Sequence, residues 1–209
     1  MALLGVASRP AANRDQVVKG EAHRRAVFLD RDGVINWAVV RNGKPFPPDT
    51  VAELEVLPGV PQALSALRAA GFLNVLVTNQ PDVGTGKQRR EVVEAMHARL
   101  LRELALDAVK VCYHVAEDGC GCRKPRPGML LEAAAEQGID LASSYVVGDR
   151  WRDVAAGQAA GCRTAFFIDY GYREQRPSPP FIATESLAAA ARCILADVPS
   201  ANKSTGVTP

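Results

Sequence analysis

Short apolar runs alternate with longer segments of helical periodicity along the chain. Each short run is followed by polar or turn-forming residues, as expected for a buried strand. These runs predict strands over residues 27–29, 72–77, 109–114, 145–149 and 164–168. Apolar residues spaced three and four apart predict helices over residues 57–70, 88–106, 127–137, 154–160 and 186–195. The alternation of strands and helices indicates an α/β fold with a doubly wound parallel sheet.

Two segments carry further expectations. Residues 37–49 contain Asn42, Gly43 and three prolines, a composition that favours a loop over the end of the first strand. In the helix predicted over residues 88–106, the spacing predicts that Met96 packs in the core and that His97 lies on the helix surface.

Length, composition and charge favour one globular domain. The chain has 209 residues, of which 47% are hydrophobic, enough for one sizeable core. The formal net charge is +2, so no broad basic surface is expected for nucleic acid or an acidic membrane. No apolar run is long enough to span a bilayer. We expect a disordered leader over residues 1–25, a folded domain over 26–197 and a flexible tail over 198–209. We also expect a cytoplasmic protein that is a monomer or weak homo-oligomer.

Polar side chains stand at or shortly after the carboxyl ends of four predicted strands. They are Asp30 and Asp32, Thr78 and Asn79, Arg123 and Lys124, and Asp149. Because the carboxyl ends of parallel strands meet at one edge of a sheet, these groups should converge. Aspartates at that edge form a hard-oxygen site suited to Mg²⁺. Asp153, four residues after Asp149, is either a further member of the site or an acid at a helix N-terminus.

This set of groups is typical of phosphoryl transfer. A carboxylate can attack phosphorus to form an aspartyl-phosphate, and Mg²⁺ can cancel the repulsion between the two anions. The Thr78 hydroxyl and the Lys124 ammonium can stabilise charge on the transferring oxygens. A second carboxylate can protonate the leaving oxygen and later activate water. The sequence therefore predicts a Mg²⁺-dependent phosphomonoesterase acting on a small phosphorylated molecule.

Three of the five cysteines lie close together with a histidine. Cys112, His114, Cys120 and Cys122 offer four soft ligands within eleven residues, enough for a closed tetrahedral zinc site. A closed site has no open position for substrate, so zinc would be structural. We expect it to hold the adjoining Arg123 and Lys124 in place over the phosphate. The alternative is a set of buried thiols with an unrelated histidine.

The motifs, taken in order, resemble those of phosphatases of the haloacid dehalogenase superfamily. The resemblance covers residues 26–170. It implies that Asp30 is the nucleophile and Asp32 the general acid and base, with Thr78 and Lys124 stabilising the phosphoryl group. It also implies that Mg²⁺ is held by Asp149, by Asp30 and by the backbone carbonyl of Asp32.

Within that superfamily, the zinc loop resembles that of the D-glycero-D-manno-heptose 1,7-bisphosphate phosphatases and the neighbouring histidinol-phosphatase branch. The resemblance implies that Arg123 and Arg150 recognise substrate. Asn79 and Gln80 match the family's Thr-Asn-Gln and are expected to contact substrate as well. The segments between the motifs leave no room for a cap domain.

Two loops depart from that branch. After Thr-Asn-Gln these enzymes usually continue Ser-Gly-Ile-Ala-Arg-Gly, whereas residues 81–86 here read Pro-Asp-Val-Gly-Thr-Gly, and the usual Gly-Tyr is missing from residues 37–41. Such loops contact the part of the substrate that does not react. The resemblance therefore implies the reaction but leaves histidinol phosphate or another sugar phosphate as alternatives to the heptose. A non-catalytic, zinc-stabilised binding domain is the alternative of another class.

Overall fold

The computed structural model describes residues 24–197. The predicted flexible tail lies outside the described residues, and so does the predicted leader up to residue 23. Arg24 and Arg25, which were assigned to that leader, belong instead to the folded domain. Arg24 forms a bridge with Ile139, and Arg25 is the first residue of the first strand.

The strands are β1 (Arg25–Leu29), β2 (Val39–Arg41), β3 (Lys44–Phe46), β4 (Phe72–Asn79), β5 (Ala108–Cys112), β6 (Tyr145–Gly148), β7 (Thr164–Ile168) and β8 (Ile182–Thr184). The helices are α1 (Val60–Ala69), α2 (Pro81–Gly84), α3 (Arg90–Glu103), α4 (Gly128–Gln137), α5 (Trp151–Ala160) and α6 (Leu187–Asp197).

Six strands form one parallel sheet in the order β5-β4-β1-β6-β7-β8. This confirms the predicted doubly wound α/β fold. The strand order reverses at β1, because the chain adds β4 and β5 on one side of it and β6 to β8 on the other. In sheets of this type, ligands bind beyond the carboxyl ends of the strands at that reversal.

Alternating side chains of β1 supply two separate cores. Val27 and Leu29 point into the core covered by α1, α3 and α6, whereas Ala26 and Phe28 point into the core covered by α4 and α5. All four residues are 0% exposed. Burial of each larger apolar side chain contributes about 1.5–3 kcal/mol, so the strand that precedes Asp30 is held rigidly from both faces.

The predicted loop over residues 37–49 instead contains an antiparallel hairpin of β2 and β3. Asn42 and Gly43 form its turn with φ angles of 52° and 74°, the conformation that favours Asn-Gly in two-residue hairpin turns. The strands are only three residues long and one contains Pro45, so no strand-like alternation marks them in the sequence. Strand β8 and the short helix α2 were not predicted either.

The predicted surface position of His97 is wrong. His97 is 5% exposed and lies on the buried face of α3, together with Met96, which is in the core as predicted. The residues Val93, Met96, His97 and Leu100 follow the three-and-four spacing of a core-facing stripe. The signal was therefore present in the sequence, and only the polarity of the imidazole opposed it.

No cap domain interrupts the sheet in the part of the chain that is described. The hairpin of β2 and β3 is the only structured insertion between β1 and α1 there, and α2 and α3 connect β4 to β5. No helix among residues 24–197 has the length and apolar character needed to cross a membrane.

Candidate active site and metal centres

Three aspartates converge beyond the carboxyl ends of β1 and β6. Asp30 follows β1, and its backbone N–H donates to the carbonyl of Val147 at 3.0 Å. Asp149 follows β6, and Asp153 lies in the first turn of α5. Carboxylate oxygens of the three aspartates lie within 4.8 Å of one another. All three residues are buried, so the strand ends place three acids in one enclosed cluster.

Gly33 gives Asp149 the space it occupies. A Cβ atom at Gly33 would lie 2.1 Å from Oδ2 of Asp149, and the glycine has a φ of 89°, a conformation that residues with side chains rarely adopt. The carbonyl oxygen of Gly33 accepts a hydrogen bond from the Tyr170 hydroxyl at 3.0 Å. The turn after Asp32 is therefore fixed against both the Asp149 carboxylate and the segment that follows β7.

Lys124 is the cation of this cluster. Its Nζ atom lies 2.8 Å from Oδ1 of Asp30 and 2.6 Å from Oδ1 of Asp153, and it donates to the carbonyl of Val77 at 2.7 Å. The side chain of Lys124 is 2% exposed. Asp153 thus fits both sequence-based alternatives: it caps α5 through the backbone N–H of Arg150 and it also belongs to the charged cluster.

The charges of the cluster favour a divalent cation. Burial, together with the neighbouring carboxylates of Asp30 and Asp153, raises the pKa of Asp149 well above its usual value. Burial raises the pKa of Asp30 to about 6 even though Lys124 acts to lower it. Both carboxylate oxygens of Asp149 are buried without a hydrogen-bond partner. Three carboxylates beside one ammonium leave an excess of about two negative charges, so this donor set fits Mg²⁺.

Asp32 has a different environment from the other acids. Its carboxylate accepts four hydrogen bonds, two from the guanidinium of Arg31, one from Asn36 and one from Gln80. Burial acts to raise the pKa of Asp32, but these hydrogen bonds and the charge of Arg31 outweigh it and lower the pKa below its usual value. Two aspartates separated by one residue therefore have pKa values shifted in opposite directions.

The residues after β4 organise the site from a second side. Gln80 is buried and donates through Nε2 to Oδ2 of Asp32 and to Oγ1 of Thr78. The side chain of Asn79 forms two hydrogen bonds with the backbone of Lys124. Its Oδ1 accepts from the N–H at 3.1 Å and its Nδ2 donates to the carbonyl at 3.0 Å. Thr78 and Asn79 line the cavity, whereas Gln80 lies behind it and orients its neighbours.

A cavity of about 230 Å³ opens above the aspartates. Its cationic lining residues, besides Lys124, are Lys44, Arg123, Arg150 and Arg152. Glu174 pairs with the Arg150 guanidinium through two hydrogen bonds, and the buried Nε of Arg152 has no partner. Burial lowers the pKa of Arg152, and the charges of Arg150 and Arg123 lower it further. Five cationic side chains and four aspartates therefore line the cavity.

The four soft ligands come together as predicted. The sulfur atoms of Cys112, Cys120 and Cys122 lie 3.3–3.7 Å apart, and Nδ1 of His114 lies 3.3 and 3.6 Å from two of them. Ligands at about 2.3 Å from one tetrahedral zinc ion are separated by about 3.8 Å. The cluster therefore fits zinc after small outward movements of the ligands. Arg123 follows Cys122 directly and donates to the carbonyl of His114 at 3.1 Å.

Comparisons with known proteins decide the family. A family model described as HAD-hyrolase-like matches residues 121–180. D-glycero-beta-D-manno-heptose-1,7-bisphosphate 7-phosphatase of Escherichia coli K12 is 37% identical over 190 residues, which are 85% of this chain and 93% of that protein. The enzyme of the same name from Bordetella bronchiseptica is 39% identical over 146 residues, 66% of this chain and 77% of that protein. The chain belongs to this phosphatase family.

The structural comparison agrees with the sequence relatives. The crystal structure of D,D-heptose 1,7-bisphosphate phosphatase from B. bronchiseptica, complexed with magnesium and phosphate, superposes with a TM-score of 0.68 and 32% identity. It covers 83% of this chain and 99% of that one. The heptose bisphosphate phosphatase of Burkholderia thailandensis gives a TM-score of 0.59 at 27% identity, over 82% and 99% of the two chains. The resemblance drawn from the motifs is confirmed, and the chain is a phosphatase with the haloacid dehalogenase fold.

Three features of this family member's site were not predicted. The hairpin of β2 and β3 forms one wall of the cavity through Lys44 to Phe46. Arg152 contributes a further cation, and Glu174 approaches from the segment after β7 to pair with Arg150. No periodic pattern in the sequence marks these residues. The position of Arg152 directly before Asp153, in the first turn of α5, was the only available signal.

Proposed function

We propose that this chain is a Mg²⁺-dependent phosphatase that removes the phosphate at position 7 of D-glycero-β-D-manno-heptose 1,7-bisphosphate through an aspartyl-phosphate. One observation carries the reaction: the buried carboxylate of Asp30 lies at the end of β1, 2.8 Å from the Lys124 ammonium and beside the unpartnered carboxylate of Asp149. The 37–39% identity to named heptose bisphosphate phosphatases supports the substrate.

Asp30 is the nucleophile in this proposal. With a pKa of about 6, its carboxylate is mostly ionised at neutral pH. It attacks phosphorus as the bond from phosphorus to the sugar oxygen breaks, and the phosphoryl group is transferred to Oδ of Asp30. Lys124 and the hydroxyl of Thr78 stabilise charge on the phosphoryl oxygens. Lys124 is already fixed by Asp30, Asp153 and Val77, so little reorganisation is needed when substrate binds.

Asp32 is the general acid and base in this proposal. In the free site its lowered pKa keeps it ionised. The approach of an anionic phosphate raises the pKa of a nearby carboxyl group, so Asp32 takes up a proton and delivers it to the leaving sugar oxygen. The resulting carboxylate then accepts a proton from the water that attacks the aspartyl-phosphate. Water cleaves the acyl phosphate and regenerates Asp30 with release of inorganic phosphate.

Asp30, Asp149 and the backbone carbonyl of Asp32 would hold Mg²⁺, with Asp153 close enough to assist through water. When bound, the cation lowers the repulsion between the Asp30 carboxylate and the phosphate dianion. The crystallised B. bronchiseptica relative is complexed with magnesium, which supports this assignment. The excess negative charge of the aspartate cluster supports it from this chain's own residues.

The cations around the cavity fit a substrate with a second anionic group. Arg123, Arg150 and Arg152 line the cavity beyond Lys124, and burial together with repulsion from the other two arginines lowers the pKa of Arg152. A second phosphate on the sugar would relieve that repulsion and supply the partner that Nε of Arg152 lacks. This favours a sugar bisphosphate over histidinol phosphate, whose other end is a cationic amine.

Zinc is proposed as a structural ion at Cys112, His114, Cys120 and Cys122. Its part is to fix the loop from which Arg123 and Lys124 reach the phosphate. These thiols are free of disulfides in the described residues. That fits the reducing cytoplasm, where we propose the protein acts.

A substrate panel tests the proposal. Phosphate release is measured with Mg²⁺ from the β-anomer of heptose 1,7-bisphosphate, the α-anomer, histidinol phosphate and glucose 6-phosphate. The β-bisphosphate should give the highest kcat/KM, and the product should retain its anomeric phosphate. A higher kcat/KM for histidinol phosphate would replace the proposed substrate. Lack of phosphate release from every compound, by folded protein containing both metals, would favour the non-catalytic binding domain.

A further inference from the structure

The mechanism leaves one buried cation and one buried imidazole unused. Arg31, between the two catalytic aspartates, is 0% exposed, and His97 of α3 is 5% exposed. Removing a guanidinium from water costs several kcal/mol, which only close partners can offset. The partners of Arg31 therefore indicate what its position achieves.

Arg31 has two partners on opposite sides of its guanidinium. Nε lies 3.1 Å from Oδ1 of Asp32 and Nη2 lies 3.0 Å from Oδ2, so the contact with Asp32 is bidentate. Nη1 lies 3.1 Å from Nε2 of His97. Because an arginine nitrogen can only donate, Nε2 of His97 is the acceptor and the imidazole is neutral. His97 thus holds the edge of the guanidinium that faces away from Asp32.

α3 anchors His97 within the core. Met96 and Leu100 on either side of His97 are 0% exposed, so the imidazole is carried by a packed helix rather than by a loop. Asn36 and Gln80 complete the set of donors to the Asp32 carboxylate. A planar guanidinium fixed at both ends determines the plane of that carboxylate, which neither amide could do alone.

We propose that His97 is a positioning residue that, through Arg31, aims the Asp32 carboxyl group at the leaving oxygen. This rests on the proposed function, in which Asp32 protonates that oxygen. The proton passes from Asp32 to the sugar oxygen as the bond to phosphorus breaks, and His97 neither gains nor loses one. A misaimed Asp32 slows only reactions whose leaving group needs that proton.

The dependence on leaving group separates this role from a purely structural one. A sugar alkoxide is a poor leaving group and requires protonation, whereas 4-nitrophenolate leaves without it. The ratio kcat/KM reports the steps through transfer of the phosphoryl group to Asp30, so a slower hydrolysis of the aspartyl-phosphate does not obscure it. His97→Leu should lower kcat/KM for heptose bisphosphate at least about 10-fold, within the range that general acid catalysis supplies. The same variant should change kcat/KM for 4-nitrophenyl phosphate less than about 3-fold.

Three further variants complete the test. His97→Gln keeps an acceptor for Arg31 and should recover most of the lost activity on the bisphosphate. Arg31→Lys cannot bond both oxygens of Asp32 and should reproduce the selective loss. Leu100→Ala, one turn along α3 in the same core, should lower stability and affect both substrates alike. If His97→Leu does not fold, Arg31→Lys still tests whether the contact with Asp32 is needed for the selective effect.

Equal losses on the two substrates in His97→Leu and Arg31→Lys, or no loss on either, would overturn the positioning role. Asp32→Asn separates this failure from failure of the proposed function. If Asp32→Asn shows the selective loss while the His97 and Arg31 variants do not, only the positioning role is wrong. If Asp32→Asn shows no selective loss, Asp32 is not the general acid and the positioning role fails with it.

Discussion

The Nζ atom of Lys124 lies 2.8 Å from Oδ1 of Asp30, although 94 residues separate them in the chain. Two restraints bring the lysine there. Asn79 at the end of β4 clasps the backbone of Lys124, and Cys122 in the soft-ligand cluster lies two residues before it. The cation that faces the proposed nucleophile therefore depends on the sheet edge and on the loop that carries the soft-ligand cluster.

Lys124→Met should destabilise the protein more than the same replacement of an exposed lysine. The variant leaves Asp30 and Asp153 buried without their counter-charge, which should lower the free energy of unfolding by about 3–5 kcal/mol at pH 7. Burial raises the pKa of Asp30, and Lys124 acts to lower it, so in the variant that pKa rises further. The extra proton taken up by the folded variant should shrink this deficit toward pH 5. Urea unfolding in the presence of a chelator measures both values.

The matched control is Lys110→Met. Lys110 also pairs with two carboxylates, those of Glu132 and Glu136, but these glutamates are more than half exposed. Its replacement should cost less than about 1 kcal/mol. A loss as large as that of Lys124→Met would mean that burial of the Asp30 cluster is not the cause.

Zinc should bind at about one ion per chain, and Cys112→Ser should abolish stoichiometric binding. If the bound ion stabilises the fold by roughly 3 kcal/mol, its loss should lower the thermal midpoint of unfolding by about 6–12 °C. Phosphatase activity should fall as well, because Arg123 and Lys124 follow the cluster. Elemental analysis and thermal unfolding are the measurements. Cys162→Ser, which removes a thiol outside the cluster, should keep its zinc, and a fully active, zinc-free wild type would refute the assignment.

Arg123→Ala should weaken recognition of the bisphosphate selectively. Loss of a charge-assisted contact of about 1.5–3 kcal/mol corresponds to an increase of roughly 10- to 100-fold in KM. 4-Nitrophenyl phosphate has no second phosphate, so its KM should change little. Steady-state kinetics on both substrates measure this, with Arg176→Ala as the control because Arg176 pairs with exposed Asp169 and does not line the cavity. Equal changes on the two substrates would assign Arg123 to the transferred phosphoryl group.

His97 should make the folded protein sensitive to mild acid. Burial and the charge of Arg31 lower the pKa of His97 to about 3 from the usual 6.5. The unfolded chain therefore binds a proton below about pH 6.5 that the folded chain does not. The stability that this group contributes is complete above pH 6.5 and falls as the pH decreases toward 3, by about 2 kcal/mol at pH 5.

His97→Gln isolates that contribution. The unfolding free energy of the wild type minus that of the variant should decrease by about 2 kcal/mol from pH 7 to pH 5. The contributions of the acidic residues that both proteins share cancel in this difference. Urea unfolding at the two pH values measures it. A difference that is independent of pH would mean that His97 titrates normally in the folded state.

The sequence was sufficient for five of the six strands of the sheet and for the polar groups at its edge. β1, β4, β6 and β7 are apolar runs with both faces buried, and the polar residues that follow β1, β4 and β6 converge at the carboxyl edge of the sheet. The hairpin of β2 and β3 could not be predicted in this way. Its strands are short, partly exposed and interrupted by Pro45, so neither periodicity nor burial marks them.

The proposed reactive groups could be predicted because each has a fixed place after a strand or in the loop of the soft-ligand cluster. The residues proposed to surround the substrate could not be predicted in this way. Glu174 reaches Arg150 from an irregular segment after β7, and nothing in its local sequence indicates that contact. His97 shows the opposite error, because its spacing marked it as buried but its polarity led to a predicted surface position. A buried polar residue needs a partner, and the partner of His97, Arg31, is 66 residues away in the chain.

Covalent labelling of Asp30 tests the central claim most directly. Heptose bisphosphate labelled in the 7-phosphate is mixed with the Mg²⁺-loaded enzyme, quenched in acid within milliseconds, and the digested peptides are analysed for label. The account predicts an acid-stable, hydroxylamine-sensitive label on Asp30, absent from Asp30→Asn and retained in Asp169→Asn, which alters the aspartate that follows β7. Label on another residue, or turnover by Asp30→Asn with no label at all, would contradict it.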